Sequence, residues 1–261
     1  MHRRMPVASV MAAVAIGITV APAAHAEGRG DIRVVKTVVN GGNSVIVGVK
    51  APKQFPITMT IKDNSGVKGV TDVSAFTTKG GHGPVDHLGT TCRKTSSTTS
   101  VCTATMRIDP TWIDDYGRGN EGWDANAVAG TWQVNATVKA NDSSYWISDR
   151  IALFKVKRAA TLTTDATPEP VRKGGTLTVT GKLSRANWTD LKYHAFTKQV
   201  VKLQYKKPGG RYSTVKTATT DGKGHLRATV KATASGSWRW AFLGTTTTMK
   251  VVATGDAVTV K

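Results

Sequence analysis

Thr176-Leu177-Thr178-Val179-Thr180-Gly181-Lys182-Leu183 decides how this chain is read. Leu177, Val179, Gly181 and Leu183 alternate with Thr176, Thr178, Thr180 and Lys182. A period of two sends successive side chains to opposite faces of a pleated strand, so one set lines a core and the other meets solvent. The pattern recurs downstream. Val201, Leu203 and Tyr205 alternate with Lys202, Gln204 and Lys206; Leu226, Ala228, Val230 and Ala232 alternate with Arg227, Thr229 and Lys231. Trp238, Trp240 and Phe242 alternate with Ser237, Arg239 and Ala241, which makes both tryptophans core residues. Turn signals separate the runs at Pro208-Gly209-Gly210, Asp221-Gly222-Lys223-Gly224 and Ser235-Gly236. Short strands at this spacing predict an antiparallel sandwich.

Upstream the same reading holds less regularly. Ile57, Met59 and Ile61 alternate with Thr58, Thr60 and Lys62 before the turn Asp63-Asn64-Ser65-Gly66. Trp132, Val134, Ala136 and Val138 alternate with Thr131, Gln133, Asn135 and Thr137, and Asn141-Asp142-Ser143-Ser144 turns the chain into Tyr145 to Val156. Asn40-Gly41-Gly42-Asn43 is a further turn. The 38 threonines suit pleated, half-buried surfaces. Asp109 to Ala127 is less readable and is expected to hold a loop or a single helical turn. The predicted fold class is all-β: two immunoglobulin-like antiparallel β-sandwich domains after a cleaved signal peptide.

Composition narrows the class. With 39% apolar and 7% aromatic residues the chain is too apolar to stay disordered, and 261 residues suit two domains. Residues 1–26 read as a secretory leader: Arg3 and Arg4 begin it, Val7 to Val20 is apolar, and Ala24-His25-Ala26 is a cleavage site. The apolar run is shorter than the roughly 20 residues that span a bilayer, and no later stretch is apolar enough, so no membrane span is expected in the mature chain. The protein is therefore expected to be secreted. Export makes a disulfide credible. Cys92 and Cys102 flank nine polar-rich residues and would clip a hairpin. Closing a loop of about 11 residues stabilises by about 3 kcal/mol in the chain-entropy model.

The charge is uneven. The whole chain carries 36 basic and 17 acidic side chains, a balance of +19. Residues 27–157 hold 16 basic against 12 acidic, whereas residues 158–261 hold 18 against 5. The shift falls at Lys155-Val156-Lys157-Arg158-Ala159-Ala160, which sets the expected domains at 27–157 and 158–261 with a short connector between them.

The second half resembles a bacterial immunoglobulin-like domain common in secreted actinomycete proteins. The resemblance rests on Pro168-Glu169-Pro170-Val171-Arg172-Lys173-Gly174, the strand Leu177 to Leu183, Val201 to Tyr205, Thr220 to Gly224 and Trp238 to Phe242. The full chain is similar to two-domain exported proteins of that group, some of which carry a calcium-binding label. The resemblance implies fold and location and transfers no catalytic residue.

Three functional readings follow. The basic second half supplies the first. Lys182, Lys202, Lys206, Arg227 and Lys231 fall on the outward phase of their strands, and a basic face attracts polyanions such as an anionic cell-wall polymer. No recognition helix or RNP-like aromatic motif is present, so no dedicated nucleic-acid site is expected. The second reading is calcium. Asp109, Asp114, Asp115, Glu121 and Asp124 cluster in a Gly-containing segment, and calcium takes six to eight oxygens, although the spacing does not match an EF-hand. Asp63 and Asp142 are contributors to consider from other turns, where aspartate also serves without metal. His82, Asp86 and His87 are read as a surface loop. The third reading is an unrecognised extracellular enzyme, against which stands the absence of G-x-S-x-G, H-E-x-x-H, Walker or dinucleotide motifs. Trp188, Tyr193 and Phe196 lie in a run too long for a tight turn and are expected to pack that run against the sandwich edge. The reading preferred from sequence is a secreted, non-catalytic structural or binding protein.

Overall fold

The computed structural model describes residues 26–79, 85–117 and 124–261, with 114–117 described in the backbone alone. Residues 1–25 of the expected leader, 1–26, lie outside the described residues, and its last residue, Ala26, opens the first strand.

The architecture is all-β, an immunoglobulin-like arrangement of antiparallel sheets packed face to face. In the first part of the chain the strands are β1 (Ala26–Arg29), β2 (Arg33–Val39), β3 (Val45–Val47), β4 (Lys53–Lys62), β5 (Val67–Thr77), β6 (Val85–Lys94), β7 (Thr99–Ile108), β8 (Gly130–Ala140) and β9 (Tyr145–Arg158). One sheet runs β2-β4-β7-β6; the other runs β1-β9-β8-β5, with β3 added parallel to β9. The turn at Asn40–Gly42 therefore does not join a hairpin. It carries the chain from β2 in one sheet to β3 in the other, with Asn40, Gly41 and Gly42 all at positive φ.

The period-2 reading explains the packing. Phe55, Ile57, Met59 and Ile61 of β4 and Cys102, Ala104, Met106 and Ile108 of β7 are buried, facing Trp132, Val134, Ala136 and Val138 of β8. The segment after β7 is helical for longer than expected. Asp109 caps an eight-residue helix, α1 (Pro110–Gly117), by accepting from the backbone N–H of Thr111 at 2.9 Å. Pro110 at the first helical position costs no hydrogen bond.

The later strands are β10 (Ala160–Leu162), β11 (Asp165–Thr167), β12 (Thr176–Asn187), β13 (Lys192–Ala195), β14 (Val200–Lys206), β15 (Ser213–Thr219), β16 (His225–Lys231), β17 (Gly236–Phe242), β18 (Val251–Val252) and β19 (Asp256–Val258). In one sheet β12 pairs with β10, β11, β13 and β16; the opposing sheet runs β15-β14-β17-β18, with β19 also on β17. Leu177, Val179 and Leu183 meet Val201, Leu203, Trp238 and Trp240 between them.

The buried apolar residues fall into two clusters, one drawn from Ile32 to Val156 and one from Leu162 to Val258. Two residues cross the division: Ala186 and Trp188 belong to the first cluster. The run from Asn187 to Phe196 is a hairpin, with Asn187 paired to Lys192, and Leu191 at φ 56°. Trp188 and Phe196 are buried, whereas Tyr193 is 41% exposed, and Trp188 enters the core of the other cluster rather than covering an edge. Trp132, Trp188 and Trp240 are fully buried, and each indole N–H donates to a backbone carbonyl: Val128 at 2.7 Å, Gly48 at 3.0 Å and Thr180 at 2.9 Å. A buried indole N–H needs such a partner.

Candidate functional site

The five basic residues singled out from sequence are brought together in two groups, not one. Lys182 on β12 and Arg227 and Lys231 on β16 share the outer face of one sheet, with His225 opposite Lys182. Asp165 on β11 pairs with Thr180, beside Arg227, and places a carboxylate on that face. Lys202 and Lys206 on β14 lie on the outer face of the opposing sheet. Alternation separates in from out, and it does not say which sheet a strand joins.

The second group gains members that the strand pattern had not singled out. Arg239 on β17 lies opposite Gln204 and donates through Nε to its Oε1 at 2.9 Å. The Arg239 guanidinium sits 3.6 Å from the centre of the Tyr212 ring, and the Lys206 ammonium sits 4.9 Å from the same centre. One ring thus positions two cations through its negative face. Tyr212 is anchored in turn by a 2.8 Å hydrogen bond between its hydroxyl and that of Ser237. Strands β14, β15 and β17 contain no Asp or Glu, and Lys207 and Arg211 are exposed in the adjoining turn. The legible signal was the strand phase of Arg239, which matches that of the lysines.

Of the acidic segment, Asp109 and Asp124 have described side chains. Asp109 is spent on α1, where Oδ1 also accepts the Thr111 hydroxyl at 2.7 Å. Asp114 and Asp115 lie on α1, and their side chains are outside the described set, as is Glu121 altogether. Asp124 caps the short 3-10 turn Ala125–Val128, accepting from Asn126 N at 2.9 Å. It also serves as counter-charge to two guanidiniums. Burial pushes the pKa of Arg158 down to about 10 and lowers that of Arg185, while Asp124 draws both upward. Arg158 is buried and donates through Nε to Ala186 O at 2.5 Å.

Of the histidine loop, His82 lies outside the described residues. Asp86 pairs with Arg107 at 2.6 Å, and His87 Nε2 bonds the Thr90 hydroxyl at 2.8 Å. The expected disulfide is present: Cys92 and Cys102 are direct cross-strand partners on β6 and β7, with Cα atoms 4.0 Å apart. Asp63 and Asp142 sit in the turns after β4 and β8, and Asp31, which the sequence did not single out, joins them. Among the described residues no helix is long and apolar enough to cross a membrane.

No family model matches the chain, and no curated protein matches it. Among solved structures it is similar to the D00-D0 domains of intimin (13% identity, 85% of this chain and 99% of that one, TM-score 0.28). It is also similar to the mouse nectin-like molecule 4 ectodomain (10% identity, 91% and 66%, TM-score 0.26). A chimeric titin Z1Z2 gives 12% identity, 91% and 97% coverage and a TM-score of 0.25. At such values the fold assignment rests on the sheets described above.

Proposed function

We propose that this is a secreted, non-catalytic binding protein of two sandwich modules, divided near residue 158, whose second module holds an anionic cell-wall polymer by charge. The observation that carries the reading is the pair Lys206 and Arg239 held against Tyr212, with Lys202 on the same outer face, whose strands β14, β15 and β17 carry no carboxylate. Cations fixed against a ring lose less freedom on binding than free lysines do, so they suit a repeating phosphate or carboxylate ligand. The strip of Lys182, Arg227 and Lys231 gives a weaker, second contact because Asp165 shares its face. Strong retention requires the net positive field of the module, and salt screens that field over about 10 Å at 0.1 M.

The test is retention of the protein on purified wall teichoic acid, a phosphate polymer, across a salt series. Retention is expected to fall steadily and to vanish by about 1 M salt. Lys202→Glu with Arg239→Glu is expected to weaken it more than Lys182→Glu with Arg227→Glu. Retention that ignores salt, or that survives both double reversals, overturns the reading.

A further inference from the structure

We propose that the first sandwich binds a calcium ion between Asp31, Asp63 and Asp142. Each of the three places a carboxylate oxygen within 4.8 Å of those of the other two. Oxygens that share one calcium, each about 2.3–2.6 Å from it, lie at most about 5 Å apart, so a single ion bridges this set. The donors are all hard oxygens from three separate turns, which suits calcium rather than a metal that favours nitrogen or sulfur.

The second observation concerns Asp63 alone. It is 3% exposed. Its Oδ1 is occupied, accepting from the backbone N–H of Ser65 at 2.8 Å and the Ser65 hydroxyl at 2.5 Å. Its Oδ2 is buried and has no hydrogen-bond partner. A carboxylate oxygen removed from water without a donor is strongly disfavoured, and the cluster around it supplies the carboxylate oxygens of Asp31 and Asp142 rather than N–H donors. A cation answers all three charges at once. The oxygen of Asp63 that remains available to such an ion is the unpartnered one.

The frame around the site is tied together independently of any ion. Asn64 N donates to Asp31 Oδ2 at 3.3 Å, joining the turn before β2 to the turn after β4. Asn141 Nδ2 donates to Ser65 O at 3.0 Å, and Asp142 N donates to the Ser65 hydroxyl at 3.2 Å, joining that turn to the one after β8. Asp63 N donates to Thr98 O at 2.9 Å, which adds the turn of the disulfide hairpin. Gly30 completes the closure: a Cβ there would lie 2.0 Å from the Ser144 hydroxyl oxygen. The backbone N–H of Ser144 donates to Asp142 Oδ1 at 2.9 Å, which fixes that carboxylate in its turn. The donors are thus pre-positioned, and the expected affinity is that of an extracellular module, with Kd of order 10⁻⁴–10⁻³ M.

The experiment is thermal unfolding of the purified protein in calcium chloride, magnesium chloride or EDTA. Calcium at about 100 times Kd is expected to raise Tm by roughly 5–10 °C in a saturable manner. Magnesium, which sheds its waters reluctantly, is expected to do less. Asp31→Asn with Asp142→Asn leaves two exposed turns folded and is expected to abolish the shift. Asp63→Asn gives a crossover: in EDTA it melts at or above the wild-type temperature, because its amide donates to the neighbouring carboxylates, and in calcium it gains nothing. Asp109→Asn with Asp124→Asn is expected to keep the full calcium shift. Equal melting of the wild type in calcium and EDTA overturns the proposal. So does a shift that survives loss of Asp31 and Asp142, or one lost with Asp109 and Asp124.

Discussion

The indole N–H of Trp188 donates to the carbonyl of Gly48 at 3.0 Å, across a sequence separation of 140 residues. The ring belongs to the basic half of the chain and is fully buried in the core of the other half. Three backbone bonds fasten the same junction: Ala159 N to Val47 O, Ala186 N to Ala159 O, and Arg158 N to Thr247 O, each at 2.8–2.9 Å. Trp188→Ala is therefore expected to destabilise the protein by about 3–5 kcal/mol. Trp188→Phe, which keeps most of the apolar area and leaves the Gly48 carbonyl unmatched, is expected to cost about 1–2 kcal/mol. Urea unfolding followed on the first half measures both, and a cost below about 1 kcal/mol for the alanine variant would show that the ring only covers a surface.

Asp124 joins two jobs, the 3-10 cap to Asn126 and the counter-charge to Arg158 and Arg185. Asp124→Ala is expected to lose about 1–2 kcal/mol. Asp124→Asn keeps the cap and discards the charge, so its stability is expected to fall between the two. Denaturant midpoints of the three proteins give the order.

Cys92 is exposed and Cys102 is buried in the first core. Reduction, or the pair Cys92→Ser with Cys102→Ser, is expected to lower stability by about 3 kcal/mol. Cys102→Ser adds a buried hydroxyl, so reduction of the native protein is the cleaner measurement. Unchanged unfolding after full reduction would contradict the expectation.

Gly181 occupies a core-phase position because Trp240 lies over it. A Cβ there would stand 2.6 Å from Trp240 Cδ1 and 2.5 Å from Thr163 O. Gly181→Ala must displace the ring that donates to Thr180 O, and a loss of about 1–3 kcal/mol is expected, read as a lowered midpoint with altered tryptophan emission.

Glu169 carries a raised pKa, first because burial disfavours its charge and then because Asp256 and Asp165 repel it. A folded-state pKa above the unfolded value favours the protonated form in the fold. Its contribution is fully present below the unfolded value near 4.5 and is lost as pH rises through the folded value. Glu169→Gln is expected to match the wild type near pH 3.5 and to exceed it slightly at pH 7, by no more than about 0.5 kcal/mol at this exposed site. Paired melts at the two pH values decide it.

Strand identity was legible from sequence because alternation is a local property, and the buried faces of β4, β8, β12 and β17 follow the pattern read there. Pairing is not local. Nothing in Val45–Val47 announces that it lies parallel to β9, and nothing near Trp188 names Gly48. The five predicted basic residues kept their outward phase yet divided between two outer surfaces, since a sandwich has two and a period of two cannot choose between them. The acidic segment was conspicuous because its carboxylates are close in sequence, yet Asp109 and Asp124 are taken by caps. Asp63 and Asp142 stood out as turn aspartates, but their grouping with Asp31 was obscure because only the closure of the sheets brings three distant turns to one end.

The single residue between Arg158 and Ala160 has a mechanical consequence. The last stretch of β9 before it, at Val156, is flanked by Gly130 on one side and Val45 on the other. Tension arriving from a polymer-bound second half would enter the first along the axis of β9, loading both rows of hydrogen bonds in shear instead of peeling them one at a time.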